Sequence, residues 1–176
     1  MRIFIAIDLP EKIKEEIYKL EKKVKGIYGK GVEKENLHIT LKFIGEVQPD
    51  FVQKIKEQLN NVKYNKFYIR IENYGIFNDR VLWLGLSKGF EDIINLHNLI
   101  DEQLKNLKIE RDYDFHPHIT LYRIKEINSK KDFEESLKYL KDYISEDILI
   151  DKFILKQSIL RYEGPLYLNV SEYKLL

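Results

Sequence analysis

The hydrophobic pattern changes its period several times along the chain, and each change predicts a new element of secondary structure. The first strand alternates, with Ile3, Ile5 and Ile7 on one face, as in a strand that buries that face. Between Pro10 and Gly26 the apolar residues recur at helical intervals, and a proline at the start and a glycine at the end are typical of a helix. The same criteria predict helices at about 50–59, 90–107 and 131–144, and strands at about 2–8, 36–43, 66–78, 81–87, 117–123, 148–160 and 165–176.

Helices alternate with strands in this pattern, and hairpins close it. The Asn-Asp-Arg segment at 78–80 predicts a tight turn between two of the strands. Such an arrangement is typical of an α+β fold with mostly antiparallel strands. Because no run rich in glycine and serine marks a boundary, we expect one domain over residues 1–176.

One tetrapeptide, His-Ile-Thr-Leu, occurs at 38–41 and again at 118–121, and the chain has no threonine outside these two copies. A shift of 80 residues superposes them. The same shift places the strand at 3–7 on 83–87, and each of these strands is followed by an amphipathic helix and then by a motif strand. The sequence therefore predicts an internal duplication, in which a pseudo-twofold axis brings the two motif strands face to face.

The composition excludes several classes of protein. With 44% hydrophobic residues the chain can bury a core, and without cysteine it forms neither a disulfide nor a cysteine-ligated metal site. A net charge of +1 argues against gripping nucleic acid by bulk electrostatics, so such a partner must be held locally. No apolar stretch fits a membrane span or a signal peptide, and we expect a soluble, cytoplasmic protein.

The repeated motif carries a set of groups suited to phosphodiester chemistry. Side chains two apart on a strand share a face, so His38 lies beside Thr40, and His118 beside Thr120. One neutral imidazole can remove a proton from a nucleophile while one imidazolium protonates a leaving oxygen, and a histidine pKa of about 6.5 permits both states at neutral pH. The hydroxyls can donate to phosphate oxygens, where charge builds up. No metal or other cofactor is required.

A metal site is the main alternative for the histidines. His116 and His118 are two residues apart and, with His38, would supply three nitrogen ligands. Pro117 between the first two, and the absence of an acidic ligand nearby in the sequence, argue against it. His97, in the third predicted helix, is interpreted as an ordinary helix residue.

Several longer segments resemble one enzyme family. They are "RIFIAIDLP" at the N-terminus, "ENLHITLKFIGEV" and "FHPHITLYR" around the two motifs, and "SILRYEGPLYLNV" near the end. In this order, over nearly the whole chain, the sequence resembles the 2H phosphoesterase superfamily, and within it the bacterial and archaeal RNA 2',3'-cyclic phosphodiesterases, also called 2'-5' RNA ligases. The resemblance implies a bilobal α+β fold in which two antiparallel sheets flank a central cleft, with helices outside.

The resemblance also implies an activity and roles for individual residues. The family hydrolyses RNA 2',3'-cyclic phosphates to 2'-phosphates without a metal, and it ligates 2'-5' ends by the reverse reaction. By position, His38 matches the proton donor to the leaving 3' oxygen, and His118 matches the general base that activates water. Thr40 and Thr120 match hydroxyls that bind the phosphate. The implied substrate is RNA with a cyclic phosphate end, such as a tRNA fragment, and the implied state is a monomer.

Two further positions match family residues near the substrate. Arg123 matches an arginine that approaches the phosphate, but strict alternation places it on the face opposite His118, so a bulge or a strand end must re-aim it. A solvent-facing arginine is the alternative. Phe4 matches an aromatic residue near the base, and alternation places it opposite the isoleucine face of its strand. Plain packing is the alternative for Phe4.

Weaker candidates surround the motifs. By alternation Lys42 shares the face of His38, where it is either a charge for the RNA backbone or a solvated lysine. Tyr122 shares the face of His118 and is a second candidate for stacking on a base. The sequence does not place three more candidates for the RNA path, Lys30, Arg80 and Arg161. A noncatalytic module that binds RNA ends or nucleotides is the alternative function, against which the two intact His-x-Thr pairs argue.

Overall fold

The computed structural model describes all 176 residues, in nine strands and five helices. The strands are β1 (Arg2–Asp8), β2 (Ile27–Gly31), β3 (His38–Glu46), β4 (Phe67–Phe77), β5 (Val81–Lys88), β6 (Ile119–Ile127), β7 (Ile148–Ile150), β8 (Lys152–Ile159) and β9 (Leu166–Lys174). The helices are α1 (Glu11–Lys23), α2 (Pro49–Leu59), α3 (Phe90–Leu104), α4 (Lys130–Ser136) and α5 (Lys138–Lys141). None of these helices combines the length and the apolar character needed to cross a bilayer.

The strands form two sheets, and every pairing in them is antiparallel. The first sheet has the strand order β3-β1-β8-β9, and the second has the order β2-β6-β5-β4-β7. The predicted α+β class with two antiparallel sheets is confirmed.

The two motif strands hold equivalent places in the two sheets. In the first sheet β1 pairs with β3, and in the second β5 pairs with β6. Together with α1 and α3 these pairs make two strand-helix-strand units, and β3 and β6 approach each other. The predicted pseudo-twofold duplication is confirmed by this pairing.

One strand crosses from the first unit to the second sheet. The sequence predicts a loop after Gly26, yet the next five residues form β2 and pair with β6. The short Ile-Tyr-Gly-Lys-Gly segment has little strand propensity of its own, and the free edge of β6 supplies its hydrogen bonds. Correspondingly, α1 packs against β6 and α3 packs against β3, so each helix supports the motif strand of the other unit.

Two predicted elements are divided in the structure. The strand predicted at 148–160 breaks at Asp151, where β7 in the second sheet ends and the chain enters β8 in the first. The helix predicted at 131–144 breaks into α4 and α5 beside Ser136. That hydroxyl donates to the carbonyl of Phe133 (2.9 Å) and accepts from the amide of Lys25 (3.1 Å), which competes with helical bonding.

The core prediction for β1 is correct for one face and incomplete for the other. Ile3, Ile5 and Ile7 are fully buried, as expected. Phe4 and Ala6, on the opposite face, are buried as well. Both faces of β1 are therefore covered.

A carboxylic acid is buried on α1. Glu21 is 5% exposed, and its Oε2 has no hydrogen-bond partner. It lies against Gly31 of β2, where a Cβ would collide with the carboxyl group. Burial raises the pKa of Glu21 to about 8, because the ionised form loses its hydration.

This burial predicts a specific dependence of stability on pH. The folded protein holds the Glu21 proton up to about pH 8, whereas the unfolded carboxyl group loses it near pH 4.5. Glu21 therefore lowers the free energy of unfolding as pH rises through this window, by up to about 1.4 kcal/mol per pH unit. In urea titrations Glu21→Gln should remove this slope, while Glu57→Gln on the exposed face of α2 keeps it. Equal slopes in wild type and Glu21→Gln would contradict the assignment.

Candidate active site

Both motifs line one cavity between the two sheets, with a volume of about 280 Å³. His38 and Thr40 come from β3, Thr120 comes from β6, and His118 comes from the residue just before β6. The remaining wall includes Arg2, Phe4, Lys30, Phe43, Arg123 and Tyr167. The structure thus brings the two distant His-x-Thr pairs together at one cavity.

Each motif strand contains a β-bulge directly after its threonine. On β3, Ala6 faces Thr40 while Ile5 faces Lys42, so Leu41 is the extra residue. On β6, Trp83 faces Thr120 while Leu82 faces Tyr122, so Leu121 is the extra residue. Both bulge residues are fully buried. The bulges lie 80 residues apart and obey the same pseudo-symmetry as the motifs.

The bulges reverse the alternation after the threonines. Arg123 therefore turns into the cavity, by the bulge that its predicted role requires. Phe43, its equivalent on β3, turns into the cavity in the same way and is 53% exposed. The face predicted for the intervening residues is wrong in both strands. Lys42 is 4% exposed and ion-paired inside the protein, and Tyr122 packs against the core outside the cavity.

Both catalytic candidates are held by the backbone two residues before them. His38 Nδ1 lies 2.6 Å from the carbonyl oxygen of Asn36, and His118 Nδ1 lies 2.6 Å from that of His116. A carbonyl oxygen only accepts, so in both rings the proton is on Nδ1 and the neutral Nε2 carries a lone pair. In His38 that Nε2 lies 2.8 Å from Oγ1 of Thr40, which donates to it. The two imidazoles thus have matching orientations.

Burial lowers the pKa of both imidazoles, because the charged form loses its hydration. The rings of Phe4 and Tyr167 enclose His38, with centroids at 5.4 and 5.5 Å, and its pKa falls to about 4. Phe77 at 5.2 Å covers His118, whose pKa is lowered mainly by burial and further by His116 and Arg123. The carbonyl bonds at Nδ1 oppose both shifts. In the free protein both rings are neutral at pH 7.

The cavity concentrates positive charge in a nearly neutral chain. Arg2, Lys30 and Arg123 line it, against a single carboxylate, Glu33. Arg161 stands 3.6 Å from Glu33 and offsets that negative charge. Of the three residues that the sequence does not place, Lys30 lies in the cavity wall, whereas Arg161 and Arg80 lie outside it. The cavity is therefore suited to an anion.

The other two histidines do not complete a metal site. His116 is exposed, and its ring lies against those of Trp83, Phe77 and Phe90, with centroids 5.0, 5.7 and 5.6 Å away. No three histidine, aspartate or glutamate side chains converge anywhere in the chain as a metal-binding group would. His97 lies in α3 as predicted, but it is 1% exposed and lies 3.1 Å from the carboxylate of Asp101, a contact that the sequence does not indicate.

Sequence reasoning missed several residues of the site, among them Phe43, Asn36 and Tyr167. Phe43 follows His38 by five positions, as Arg123 follows His118, and this spacing was the available signal. Asn36 contributes its carbonyl oxygen to His38, while its amide donates to the carbonyl of Pro165 at 2.8 Å, a contact that no motif indicates. Tyr167 arrives from β9, near the other end of the chain. Only the fold brings it to His38.

Comparison with known proteins agrees with this geometry. The family described as LigT like Phosphoesterase matches residues 7–83 and again 84–167, one match for each half of the duplication. An RNA 2',3'-cyclic phosphodiesterase of Archaeoglobus fulgidus is 38% identical over 175 residues, covering 95% of this chain and 96% of the relative. One of Methanocaldococcus jannaschii is 38% identical over 180 residues, covering 98% and 100%.

A solved structure extends the similarity to the fold. Escherichia coli LigT complexed with 3'-AMP superposes with a TM-score of 0.82 at 26% identity, covering 99% of this chain and 97% of that one. The two matches to the family, the two motifs and the shared fold all indicate the same family. The chain therefore belongs to the LigT-like family of 2H phosphoesterases.

Proposed function

We propose that the protein is an RNA 2',3'-cyclic phosphodiesterase that hydrolyses the cyclic phosphate end of RNA to a 2'-phosphate without a metal ion. The observation that carries the proposal is the convergence of two equally oriented imidazoles and two hydroxyls on one cationic cavity. The relatives of Archaeoglobus fulgidus and Methanocaldococcus jannaschii bear the name of this activity. The 3'-AMP bound to Escherichia coli LigT supports a nucleotide ligand for the same fold.

In the proposed reaction, water attacks phosphorus and the bond to the 3' oxygen breaks. The Nε2 lone pair of His118 takes the proton from water, and His38 gives a proton to the departing 3' oxygen. The hydroxyls of Thr40 and Thr120 donate to the nonbridging oxygens, where negative charge increases in the transition state. Arg123, re-aimed by its bulge, adds a positive charge beside the phosphate.

In the proposed reaction His38, the proton donor, must become protonated when the substrate binds. Burial lowers the pKa of His38 to about 4, so the free protein holds it neutral. An anionic phosphate in the cavity favours the imidazolium and raises that pKa. Protonation also removes the Nε2 lone pair that accepts from Thr40 at 2.8 Å, which frees the hydroxyl to donate to the phosphate. The acid and its neighbouring hydroxyl are thereby prepared in one step.

Two phenylalanine rings are available to the terminal base. Phe4 lies on the cavity floor but is only 4% exposed, with Tyr167 edge-on at 4.9 Å. It can touch a base only by a small part of its ring. Phe43 is 53% exposed on the same cavity, with the guanidinium of Arg2 5.1 Å from its centroid. Phe43 therefore offers the larger stacking surface, and Phe4 supports the base and His38 from below.

The same groups would run the reverse reaction, 2'-5' ligation, by microscopic reversibility. The proposal includes one bilobal domain over 1–176 acting as a monomer, because a single chain supplies both histidines. It also includes a cytoplasmic site of action and RNA ends such as those of tRNA fragments.

The first test uses an RNA oligonucleotide with a 2',3'-cyclic phosphate, in the presence of EDTA. Wild type should convert it to the 2'-phosphate, identified by chromatography against both monophosphate isomers. His38→Ala and His118→Ala should each lower kcat by about 10² to 10⁴-fold, since each removes one proton transfer. Tyr113→Ala, an exposed aromatic outside the cavity, is the control. Binding without turnover would instead indicate a noncatalytic module, and loss of activity with EDTA would indicate a metal enzyme.

The second test follows the histidine resonances by NMR. In the free protein His38 should titrate near pH 4 and His118 below 6.5. Saturating inorganic phosphate should raise both midpoints, because an anion stabilises the imidazolium. Arg123→Gln in the free protein should raise the midpoint of His118 and leave that of His38 unchanged. Midpoints that do not respond to phosphate would argue against a shared anion site.

The third test concerns the base. Stacking contributes about 1 to 3 kcal/mol per base, so Phe43→Ala should raise KM for the RNA by roughly five-fold to a hundred-fold. Its kcat should change less, because the ring lies away from the reacting groups. Tyr68→Ala, half-exposed on β4 and outside the cavity, is the matched control. If Phe43→Ala and Tyr68→Ala give the same KM, Phe43 is not the stacking surface.

A further inference from the structure

Three charged or titratable side chains form a network inside the protein, behind the first motif. Lys42, His97 and Asp101 are 4%, 1% and 2% exposed. Lys42 Nζ lies 2.8 Å from Oδ1 of Asp101, and His97 Nε2 lies 3.1 Å from Oδ2. None of the three lines the cavity, and the proposed reaction uses none of them.

One end of the network holds the bulge of β3. His97 Nδ1 lies 2.6 Å from the carbonyl oxygen of Leu41, the extra residue of that bulge. Lys42, the next residue, reaches the network through its side chain. Asp101 and His97 both belong to α3, which packs against β3. The bulge that separates Thr40 from Phe43 is therefore anchored on a helix.

The other end holds the segment that leads to the second motif. Lys42 Nζ donates to the carbonyl of Glu110 at 2.6 Å, and the amide of Asp112 donates to Oδ2 of Asp101 at 2.9 Å. The ring of Phe115 is stacked on that of His97, with centroids 3.9 Å apart and planes 7° apart. The next residue is His116, whose carbonyl orients His118. One network thus contacts Leu41, the residue that follows Thr40, and Phe115, the residue that precedes His116.

The other half of the duplication explains why side chains are needed here. There the bulge carbonyl of Leu121 accepts from the amide of Val32 (2.8 Å), which directly follows β2. The position equivalent to Val32 is Asp112, where the chain forms no strand. Its amide bonds to Asp101 instead. His97 therefore supplies from a side chain the hydrogen bond that the backbone supplies in the other half.

The pseudo-equivalent residues confirm that this network belongs to one half only. Shifting by 80 residues places Ile17 at His97, Glu21 at Asp101 and Tyr122 at Lys42. Glu21 is buried like Asp101, but it forms no ion pair of the kind that Asp101 forms with Lys42 and His97. The Lys42–Asp101–His97 network is thus specific to the bulge behind His38.

We propose that His97, fixed by Asp101 and Lys42, is a positioning residue for the proposed hydrolysis. It sets the β3 bulge, and through Phe115 and the 110–115 segment it couples the position of His38 to that of His118. The inference rests on the proposed function. Removing one member of a buried charged network lowers stability, so the effect on geometry must be measured between variants that lose the same member. A displacement of about 1 Å at reacting groups costs roughly 100-fold in rate.

Two substitutions at His97 separate its two hydrogen bonds. The amide nitrogen of His97→Asn falls near the position of Nδ1 and keeps a donor for Leu41. In His97→Gln the amide nitrogen falls near the position of Nε2. This variant loses the donor to Leu41 and keeps a contact to Asp101. Both lose the ring stacked on Phe115, so their effects on folding should be similar. They are therefore matched controls for each other.

We expect His97→Gln to lower kcat by about 10 to 100-fold, with KM within about two-fold, and His97→Asn to stay within about three-fold of wild type in both. Activity is measured well below the melting temperature of both variants. In the free proteins, the ¹⁵N resonances of His38 should shift in His97→Gln and stay near wild type in His97→Asn.

A purely structural role would lower both melting temperatures and leave kcat and the His38 resonances unchanged, and that result would overturn the inference. Equal losses of kcat in the two variants would overturn it as well, because the bond to Leu41 would then not matter. A wild type that does not hydrolyse the cyclic phosphate would refute the proposed function instead. In that case the ¹⁵N comparison still decides whether His97 positions His38.

Discussion

The arrangement of the site depends on a constraint of strand geometry and on its interruption. On a regular strand only every second side chain can face a cavity, so a histidine and a threonine two apart can share it, but the residue five after the histidine cannot. The bulges at Leu41 and Leu121 remove this limit in both halves. They direct Phe43 and Arg123 into the cavity that the imidazoles also line. In each strand the inserted residue changes which side chain is the third to face the cavity, from the position four after the histidine to the position five after it.

Bulges are local distortions, and the protein supports each of them from behind. The carbonyl of Leu121 is satisfied by the backbone beyond β2, and that of Leu41 by the imidazole of His97. Each bulge carbonyl requires a hydrogen-bond donor, and the two halves meet this requirement differently. One half uses the crossing of β2 into the second sheet, and the other uses three buried ionisable side chains. Because α1 supports β6 and α3 supports β3, the two halves are linked through their functional strands.

Burial and charge act in opposite directions on the two imidazoles. Aromatic rings around them lower both pKa values, so the resting site is neutral at its centre and cationic at its wall. An anion entering such a site is attracted by Arg2, Lys30 and Arg123, and it then favours protonation of His38, the proposed acid. The structure is suited to a substrate that brings its own negative charge, as a phosphodiester does.

The local sequence determined what depends on neighbouring residues. The periods of 2 and 3.6 predicted the helical segments and the strands other than β2, and the repeated tetrapeptide predicted the duplication and four side chains that line the cavity. Errors occur where a distant segment decides. Strand β2 exists because β6 offers it an edge, and the predicted strand at 148–160 divides because each part pairs with a different sheet.

The faces of Lys42 and Tyr122, and the burial of His97, were decided by tertiary structure alone. Alternation is a property of a regular strand, whereas a bulge arises from the register with a partner strand that the local sequence does not specify. A lysine in a sequence likewise predicts an exposed side chain, because its partner is not known. Lys42 forms its ion pair with Asp101 only because α3 packs on β3. The local sequence determined which side chains are present at the site. Their directions and charge states depend on long-range packing, which only the tertiary structure decides.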